Sequence, residues 1–256
     1  MEEPFFTLIT CSRNSEKHLQ ECLDSAEKQI FRDFEHVFVE GKSLDKTENL
    51  IKEYKRKTKD IRVKFIKREP KGISDAFNHG IKQAKGKYLI FLNSDDYLTD
   101  ETSLARIHDY LVKHQGILWL QGNLRYQTGN KVWKFSNMPI IKPLFKLLLS
   151  LFCPINHQNT VMSKKIFEDN GLFLEDLSSG MDRELFIRLL GIIDPYFVDQ
   201  NFVTFRIHSG SKSSGFSGVK SQFYNLVRLY EIHRVIPFIT GLVWMYKYDR
   251  GGTKSV

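Results

Sequence analysis

The apolar run 88–92 leads directly into Asn93-Ser94-Asp95-Asp96, so two adjacent carboxylates follow a segment typical of a buried strand. Parallel strands are buried on both faces, and open α/β sheets bind ligands beyond the carboxyl ends of their strands. A divalent cation bound to a diphosphate needs hard oxygen ligands on a rigid element. The pair therefore predicts an enzyme that acts on a nucleotide diphosphate.

The segments before this run alternate between strand-like and helix-like patterns. Strands are predicted at 5–10, 36–39 and 63–66, and each is followed by apolar residues at helical spacing. Asp45, with Glu48 three residues later, marks one helix start. Strands and helices that alternate in this way imply a parallel sheet with right-handed crossovers. The predicted fold class is α/β, with a Rossmann-like, mostly parallel sheet flanked by helices.

The second half of the chain is less regular. Residues 119–126 and 131–135 are predicted to form a hairpin around Thr128-Gly129-Asn130. The apolar segments 140–152 and 235–246 contain or precede basic residues, and both are shorter than the roughly 20 apolar residues that span a membrane. Each is either an amphipathic helix packed on the sheet or a segment lying on a membrane surface, and the pattern leaves both open.

Charge and cysteine usage limit the possible partners. A formal net charge of +8 over 256 residues favours anionic partners such as nucleotide phosphates, polyprenyl-phosphate lipids or anionic membranes. No RNA- or DNA-binding module is recognisable, so nucleic acid is not an expected partner. Cys11, Cys22 and Cys153 are odd in number and lack CxxC spacing, which indicates neither a disulfide framework nor a zinc site. The segment Met1-Glu2-Glu3-Pro4 is acidic, unlike the basic start of a signal peptide, so a cytoplasmic location is expected.

Four motifs occur in a fixed order along the chain. They are Thr7-Leu8-Ile9-Thr10 with Asn14 downstream, Val39-Glu40-Gly41-Lys42-Ser43-Leu44-Asp45-Lys46-Thr47, Glu69-Pro70-Lys71-Gly72-Ile73-Ser74-Asp75-Ala76-Phe77-Asn78-His79-Gly80-Ile81 and Phe91-Leu92-Asn93-Ser94-Asp95-Asp96. Together they resemble family 2 glycosyltransferases, the inverting enzymes with a GT-A fold, and particularly the bacterial members that build surface polysaccharides. The resemblance implies a GT-A domain over 1–215, with a nucleotide-binding half at 1–115 and a smaller acceptor half at 116–215. Residues 216–256 would form a C-terminal helical extension.

The resemblance implies a set of nucleotide-binding residues in the first half. Glu40 lies where the family has an Asp that accepts hydrogen bonds from uracil or ribose. Asp75 and Asn78 are three residues apart on one face of a helix start and would reach the base and ribose. For Asp75, favourable interaction with the helix N-terminus is an alternative role. The full implied set is Thr10, Ser12, Arg13, Glu40, Asp75, Asn78, Asn93, Ser94 and Asp95.

The resemblance also implies a metal cofactor, Mg²⁺ or Mn²⁺. Asp96 would be the direct ligand, His208 would complete the metal shell, and Asp95 would contact the ribose or support the ligands. Ser94 stands at the first position of the usual D-x-D, which removes one possible negative charge. The alternative is that the acidic residues only end a strand and start a turn.

Asp182 is the expected general base. Inversion by a single displacement requires a carboxylate that takes the proton of the acceptor hydroxyl as its oxygen attacks the anomeric carbon. A helix N-terminal cap is the alternative role for Asp182, and Glu184 is the nearby competitor for the role of base. His157 and Gln158 are expected on the acceptor side, and Arg206 and Ser213 near the diphosphate.

The predicted function is transfer of a hexose or N-acetylhexosamine from a nucleotide sugar, expected to be UDP-linked, to a glycan or a polyprenyl-phosphate-linked acceptor. The site would lie in the cytoplasm, with possible contact to the inner face of the membrane. Two alternatives remain. A sugar nucleotidyltransferase would want a glycine-rich loop, which residues 11–14 lack. An inactive glycan-binding scaffold would fit the departures from the family pattern at Lys42, Lys46 and Ser94.

Overall fold

The computed structural model describes residues 3–135, 155, 157–177 and 180–208. The segments 140–152 and 235–246, the predicted phosphate contact Ser213 and the expected extension 216–256 lie outside these ranges. None of the helices described is both long enough and apolar enough to cross a membrane.

The first half folds as the alternating pattern predicts. Every residue of the first two strands is buried, as expected for strands covered on both faces, and the first helix buries one face through Leu19, Cys22, Leu23 and Ala26. The elements in chain order are β1 (Phe6–Ser12), α1 (Glu16–Glu27), β2 (Phe34–Glu40), α2 (Thr47–Lys57), β3 (Arg62–Lys67), α3 (Ile73–Gln83) and β4 (Tyr88–Phe91).

The second half adds short strands and three helices within the described residues. Its elements in chain order are β5 (Tyr97–Leu98), α4 (Ser103–Lys113), β6 (Trp119–Gln121), β7 (Leu124–Thr128), β8 (Lys131–Phe135), β9 (Thr160–Ser163), α5 (Lys164–Asn170), α6 (Met181–Leu189), β10 (Tyr196–Phe197) and β11 (Val203–Arg206).

Two sheets organise these strands. The larger has the order β10-β6-β9-β4-β1-β2-β3, and within it only β9 runs antiparallel to its neighbours. Helices α1, α2 and α4 cover one face, and α3, α5 and α6 cover the other. The predicted fold class, a mostly parallel α/β sheet flanked by helices, is confirmed. The smaller sheet has the order β5-β11-β7-β8.

The predicted strand 119–126 is wrong as one element, because it is divided between the two sheets. A Cβ at Gly122 would lie 2.8 Å from the carbonyl oxygen of Gln200, so only glycine allows the chain to pass this point. The amide of Asn123 then donates to the same carbonyl at 2.7 Å, and the chain enters the smaller sheet. The predicted hairpin turn at 128–130 is present, with Thr128 paired to Lys131.

The carboxyl ends of β1, β2 and β4 meet at one edge of the larger sheet. Ser12 lies beside Glu40 in the parallel register, and the amide of Leu92 donates to the carbonyl oxygen of Ile9. Strand β5 begins directly after Asp96 and pairs with β11, so the smaller sheet starts at the same edge. This edge therefore gathers the predicted site residues from distant parts of the chain.

Candidate active site

Asp96 lies at the centre of this edge and is fully buried. Its Oδ1 accepts a hydrogen bond from the backbone amide of Arg206 at 2.8 Å, and its Oδ2 accepts one from Asn93 Nδ2 at 2.9 Å. Burial, together with the negative charge of Asp95, raises the pKa of Asp96 to about 7. A cation bound beside Asp96 would offset the free-energy cost of holding a buried negative charge next to Asp95.

Asp95 faces the end of β11, where its Oδ2 lies 3.0 Å from Nε2 of His208. The His208 ring lies 4.6 Å from the ring of His18, and Nδ1 of His18 lies 3.1 Å from a guanidinium nitrogen of Arg206. Burial, followed by the charge of Arg206, lowers the pKa of His18. Helix α1 and the segment from the end of β11 to His208 thus place two imidazoles and a guanidinium beside Asp95, and the sequence motifs gave no sign of His18.

Asp182 is the second residue of α6, which begins at Met181 after Gly180 (φ 72°). Its Oδ2 lies 3.0 Å from His157 Nδ1, and its Oδ1 accepts a hydrogen bond from the amide of Arg183 at 2.9 Å. Burial alone would raise the pKa of Asp182, but the bond and charge of His157 and the amide of Arg183 together bring that pKa below its ordinary value. The carboxyl is therefore ionised at neutral pH.

His157 joins Asp182 to the carboxylate turn. Its Nε2 lies 3.2 Å from Asn93 Nδ2, the same amide nitrogen that donates to Asp96. In a neutral His157, this geometry assigns the proton to Nδ1, which donates to Asp182, while Nε2 accepts from Asn93. Asp182, the expected base, is thus connected to Asp96, the expected metal ligand, through the side chains of His157 and Asn93. Asp182 keeps 21 % of its side-chain surface exposed.

Glu184, the competitor of Asp182, is engaged elsewhere. Its two oxygens accept from Nε and Nη2 of Arg188, each at 2.9 Å, and only 1 % of its surface is exposed. The same Nη2 of Arg188 also donates to the carbonyl oxygen of Leu172 at 2.8 Å. Glu184 therefore anchors the loop before α6 and has no surface to offer to an acceptor hydroxyl.

Three predicted nucleotide contacts are used inside the protein instead. Thr10 is fully buried, and its hydroxyl donates to the carbonyl of Leu92 at 2.7 Å. Both oxygens of Glu40, also fully buried, accept from amides of its own loop, those of residues 42 and 43. The amide of Asn78 makes three bonds to residues 173 and 175. These groups are buried and bonded within the protein, so they support the surrounding loops, and their contact with a nucleotide stays a prediction.

Other predicted contacts remain available or partly available. Asp75 Oδ1 accepts from Arg68 at 2.9 Å, whereas Asp75 Oδ2 and Ser12 Oγ are buried without a partner among the described residues. Arg13 is exposed at the end of β1. Ser94 Oγ lies 2.8 Å from the hydroxyl of Ser15. Gln158 is 4 % exposed, so it has little surface for an acceptor.

The donor atoms fit Mg²⁺ or Mn²⁺ by their chemistry, although no group of three or more His, Cys, Asp and Glu side chains within the described ranges is arranged to hold a metal ion. Asp95 and Asp96 supply hard oxygens, and His208 supplies an imidazole already directed at Asp95. The raised pKa of Asp96 is the electrostatic cost that a bound cation would remove. Asp95, Asp96 and His208 remain the expected ligands, and a bound cation would have to draw them into one coordination shell.

The model of the Glycosyl transferase family 2 matches residues 7–190, which include the carboxylate turn, His157 and Asp182. The chain belongs to this family. The PGL/p-HBAD biosynthesis glycosyltransferase of Mycobacterium tuberculosis is 31% identical over 133 residues, 52% of this chain and 52% of that protein. An uncharacterized glycosyltransferase of Rickettsia typhi is 27% identical over 220 residues, 82% of this chain and 66% of that one. The chain thus spans about half the length of the first relative.

Solved structures share the fold of this family 2 chain. TarS 1–349 of S. aureus, in complex with UDP-GlcNAc, superposes with a TM-score of 0.72 at 22% identity, over 89% of this chain and 65% of that chain. The mannosyltransferase PcManGT of Pyrobaculum calidifontis, in complex with GDP-Man and Mn²⁺, gives a TM-score of 0.65 at 14% identity, over 99% of this chain and 77% of that chain. These likenesses confirm the GT-A fold.

Proposed function

We propose that this chain is a metal-dependent inverting glycosyltransferase, which moves a hexose or N-acetylhexosamine from a UDP-linked donor to a hydroxyl of a glycan or a polyprenyl-phosphate-linked acceptor. The observation that carries the proposal is the bonded path from Asp182 through His157 and Asn93 to Asp96. This path links Asp182, an ionised carboxylate suited to act as the base, with Asp96, the expected metal ligand. A single displacement needs both groups near the same sugar.

In the proposed reaction, Asp182 takes the proton from the acceptor hydroxyl while the hydroxyl oxygen bonds to the anomeric carbon. The bond from that carbon to the diphosphate breaks, and the nucleotide leaves with the electron pair. His157 holds Asp182 in position through its Nδ1 proton. Asp95, Asp96 and His208 would hold Mg²⁺ or Mn²⁺, which, when bound, stabilises negative charge on the leaving diphosphate.

The choice of a UDP-linked donor rests on Asp75 and Ser12. Asp75 Oδ2 is an acceptor without a partner among the described residues, and an acceptor of this kind suits the imino N–H of uracil. Ser12 Oγ, at the end of β1, is likewise buried with no partner among the described residues. Guanine also carries an imino N–H, so a guanine donor is the alternative that the experiment must separate.

A membrane-linked acceptor is supported by the outer strand of the smaller sheet. Trp133 and Phe135 expose 42 % and 54 % of their surfaces, and Lys131 and Lys134 on the same strand are also exposed. Exposed aromatic rings beside lysines suit an interface with anionic lipid headgroups. Flotation with vesicles of anionic and neutral composition would test this: binding to anionic vesicles is expected, and a protein that floats with neither contradicts it.

A thermal-shift screen of nucleotide sugars with Mn²⁺ tests the donor, since a bound ligand raises the melting temperature by mass action. A UDP-sugar should give the largest shift, and slow release of UDP should follow with that sugar. A shift without hydrolysis or transfer to any acceptor would favour the glycan-binding scaffold. Release of pyrophosphate from a nucleoside triphosphate and a sugar phosphate would instead indicate a nucleotidyltransferase.

A further inference from the structure

A line of buried polar side chains runs beneath the carboxylate turn. Tyr54 Oη lies 3.3 Å from Nδ1 of His36, and Nε2 of His36 lies 2.9 Å from Oγ1 of Thr10. The Thr10 hydroxyl donates to the carbonyl oxygen of Leu92 at 2.7 Å. The line therefore starts on α2, crosses β2 and β1, and ends on the residue that follows β4.

The bond from Thr10 to Leu92 decides which atom is the donor in each of the other hydrogen bonds. The single hydrogen of the Thr10 hydroxyl is given to Leu92, so Thr10 Oγ1 accepts from His36. The ring of His36 then carries its proton on Nε2, and Nδ1 is left to accept from Tyr54. His36 is fully buried and is neutral, because burial lowers its pKa to about 3. The tautomer of His36 with its proton on Nε2 therefore satisfies all three hydrogen bonds of the line.

The far end of this line is the peptide that leads into the turn. Leu92 directly precedes Asn93, whose side chain bonds to both Asp96 and His157. The carbonyl of Asn93 also lies 3.5 Å from Sγ of Cys22, a second buried tether at the same place. A shift in the Leu92 peptide would move the origin of the Asn93 side chain and with it both expected reacting groups.

We infer that His36 is a positioning residue, which acts through the Thr10 hydroxyl to fix the Leu92 peptide and thereby the carboxylate turn. This inference rests on the proposed function for its kinetic effect, but its structural effect is measurable without any activity. His36 touches neither nucleotide nor acceptor in this account. Its effect is on the positions of the Asn93 and Asp96 side chains.

The test compares His36→Gln with His36→Phe. Glutamine keeps an N–H donor for Thr10, whereas phenylalanine fills a similar volume without one. Loss of a partner bonded directly to a metal ligand typically costs about 10- to 100-fold in metal affinity or activity, and His36, which acts through Thr10 and Leu92, should come near the lower figure. We expect His36→Phe to raise the half-saturating Mn²⁺ concentration and lower kcat within that range, with little change in the KM of the acceptor. His36→Gln should stay within about threefold of the natural protein.

Two further variants test the line as a unit. Thr10→Val removes the hydroxyl at nearly constant shape and should match His36→Phe, and the double variant should be no worse than either, because bonds in one series are not additive. Tyr54→Phe removes only the longest bond and serves as the control, with an effect below about threefold. Additive losses in the double variant would overturn the inference.

Backbone amide NMR of residues 93–96 provides the readout that is independent of transfer. His36→Phe should move these signals, and His36→Gln should leave them close to their natural positions. If His36→Phe lowers the melting temperature but leaves both the signals and the half-saturating Mn²⁺ unchanged in the folded protein, the positioning role is refuted. If the natural protein transfers no sugar but the signals move as expected, the proposed function fails and the positioning role stands.

Discussion

The first half of the chain, from β1 to β4, which the proposed function makes the donor half, differs in construction from the smaller sheet. In the donor half, the loop after β1 and the loop after β2 are bonded to each other by side chains that reach backbone amides. In the smaller sheet, all five residues of β8 are exposed. The bonds between the two loops are Asn14 Oδ1 with Leu44 N, Ser43 Oγ with Asn14 N, Asp45 Oδ2 with Glu16 N, and Glu16 Oε2 with Lys46 N.

The loops of the donor half are held in place by hydrogen bonds, whereas the side chains of β8 are exposed. The donor half holds its loops before any ligand arrives, which lowers the entropic cost of binding a nucleotide. The outer strand β8 has exposed side chains, and among the described strands it pairs only with β7. Changes in the first region should therefore damage folding or chemistry, and changes on β8 should leave both intact. Substitutions in the two regions should therefore differ in what they damage.

Asp182→Asn should cause the largest loss. Asparagine keeps the shape of Asp182 but cannot take a proton, and general base catalysis contributes about 10²–10⁴-fold. Transfer should fall by about 10³-fold while the Kd for UDP stays within about twofold. Glu184→Gln is the matched control: it weakens the pair with Arg188, so it should lower the melting temperature and leave kcat nearly unchanged in the folded protein. Comparable loss of UDP binding in Asp182→Asn would refute its role.

Asp96→Asn should remove metal dependence. The amide retains the volume of the buried carboxyl but loses the charge that would hold the cation, and a metal acting as a Lewis acid contributes several kcal/mol. We expect transfer to drop by about 10²-fold or more, and Mn²⁺ to lose its effect on UDP affinity in calorimetric titrations. UDP binding that Mn²⁺ still strengthens in this variant would count against Asp96 as a ligand.

Much of the donor half could be predicted because β1, β2 and β4 are buried along their whole length, while β3, at the edge of the sheet, is only partly buried. Such strands read as short apolar runs, and the predicted cores of β2 and β3 lie within the observed strands. The break at Gly122 could not be read from spacing, because its cause is a close approach to residue 200, distant in sequence. The same holds for Glu40, whose oxygens turn to amides of its own loop. Residue type predicts a polar site, but loop geometry decides which partner each polar atom finds.

Acid should destabilise the donor half through His36. The unfolded histidine has a pKa near 6.5, and the folded one is lowered to about 3, so the unfolded state binds more protons between these values. Stability is unaffected by this group above about pH 6.5 and is lost as the pH falls toward 3, by at most about 1.4 kcal/mol per pH unit. Urea unfolding from pH 7.5 to 4.5 should show a shallower loss in His36→Phe. Parallel curves for the two proteins would contradict a neutral buried His36.

Asn14→Ala should destabilise the bonded loops by about 1–2 kcal/mol. Asn14 has φ 51°, where alanine is strained by about 1 kcal/mol, and its side chain accepts from the Leu44 amide at 2.9 Å, a bond that contributes about 1 kcal/mol. Asn14→Gly separates the two causes, since it loses the bond but tolerates the angle. Chemical unfolding of the three proteins should rank natural above Asn14→Gly above Asn14→Ala. A glycine variant as unstable as the alanine variant would show that strain contributes nothing.

Trp133→Ser should change stability and hydrolysis less than any of the other substitutions. Trp133 sits across from Tyr126 and keeps 42 % of its surface exposed, and substitutions at such surface positions change the free energy of unfolding by less than about 0.5 kcal/mol. Hydrolysis of the UDP-sugar, which needs no acceptor, should be equally unaffected. Trp119→Phe is the contrasting variant, because Trp119 is fully buried and stacked on Phe186 at 5.0 Å, so its loss should be felt in the core. A Trp133→Ser protein that unfolds as readily as Trp119→Phe would mean that β8 is structurally integral, and the contrast between a fixed donor half and an open outer strand would fail.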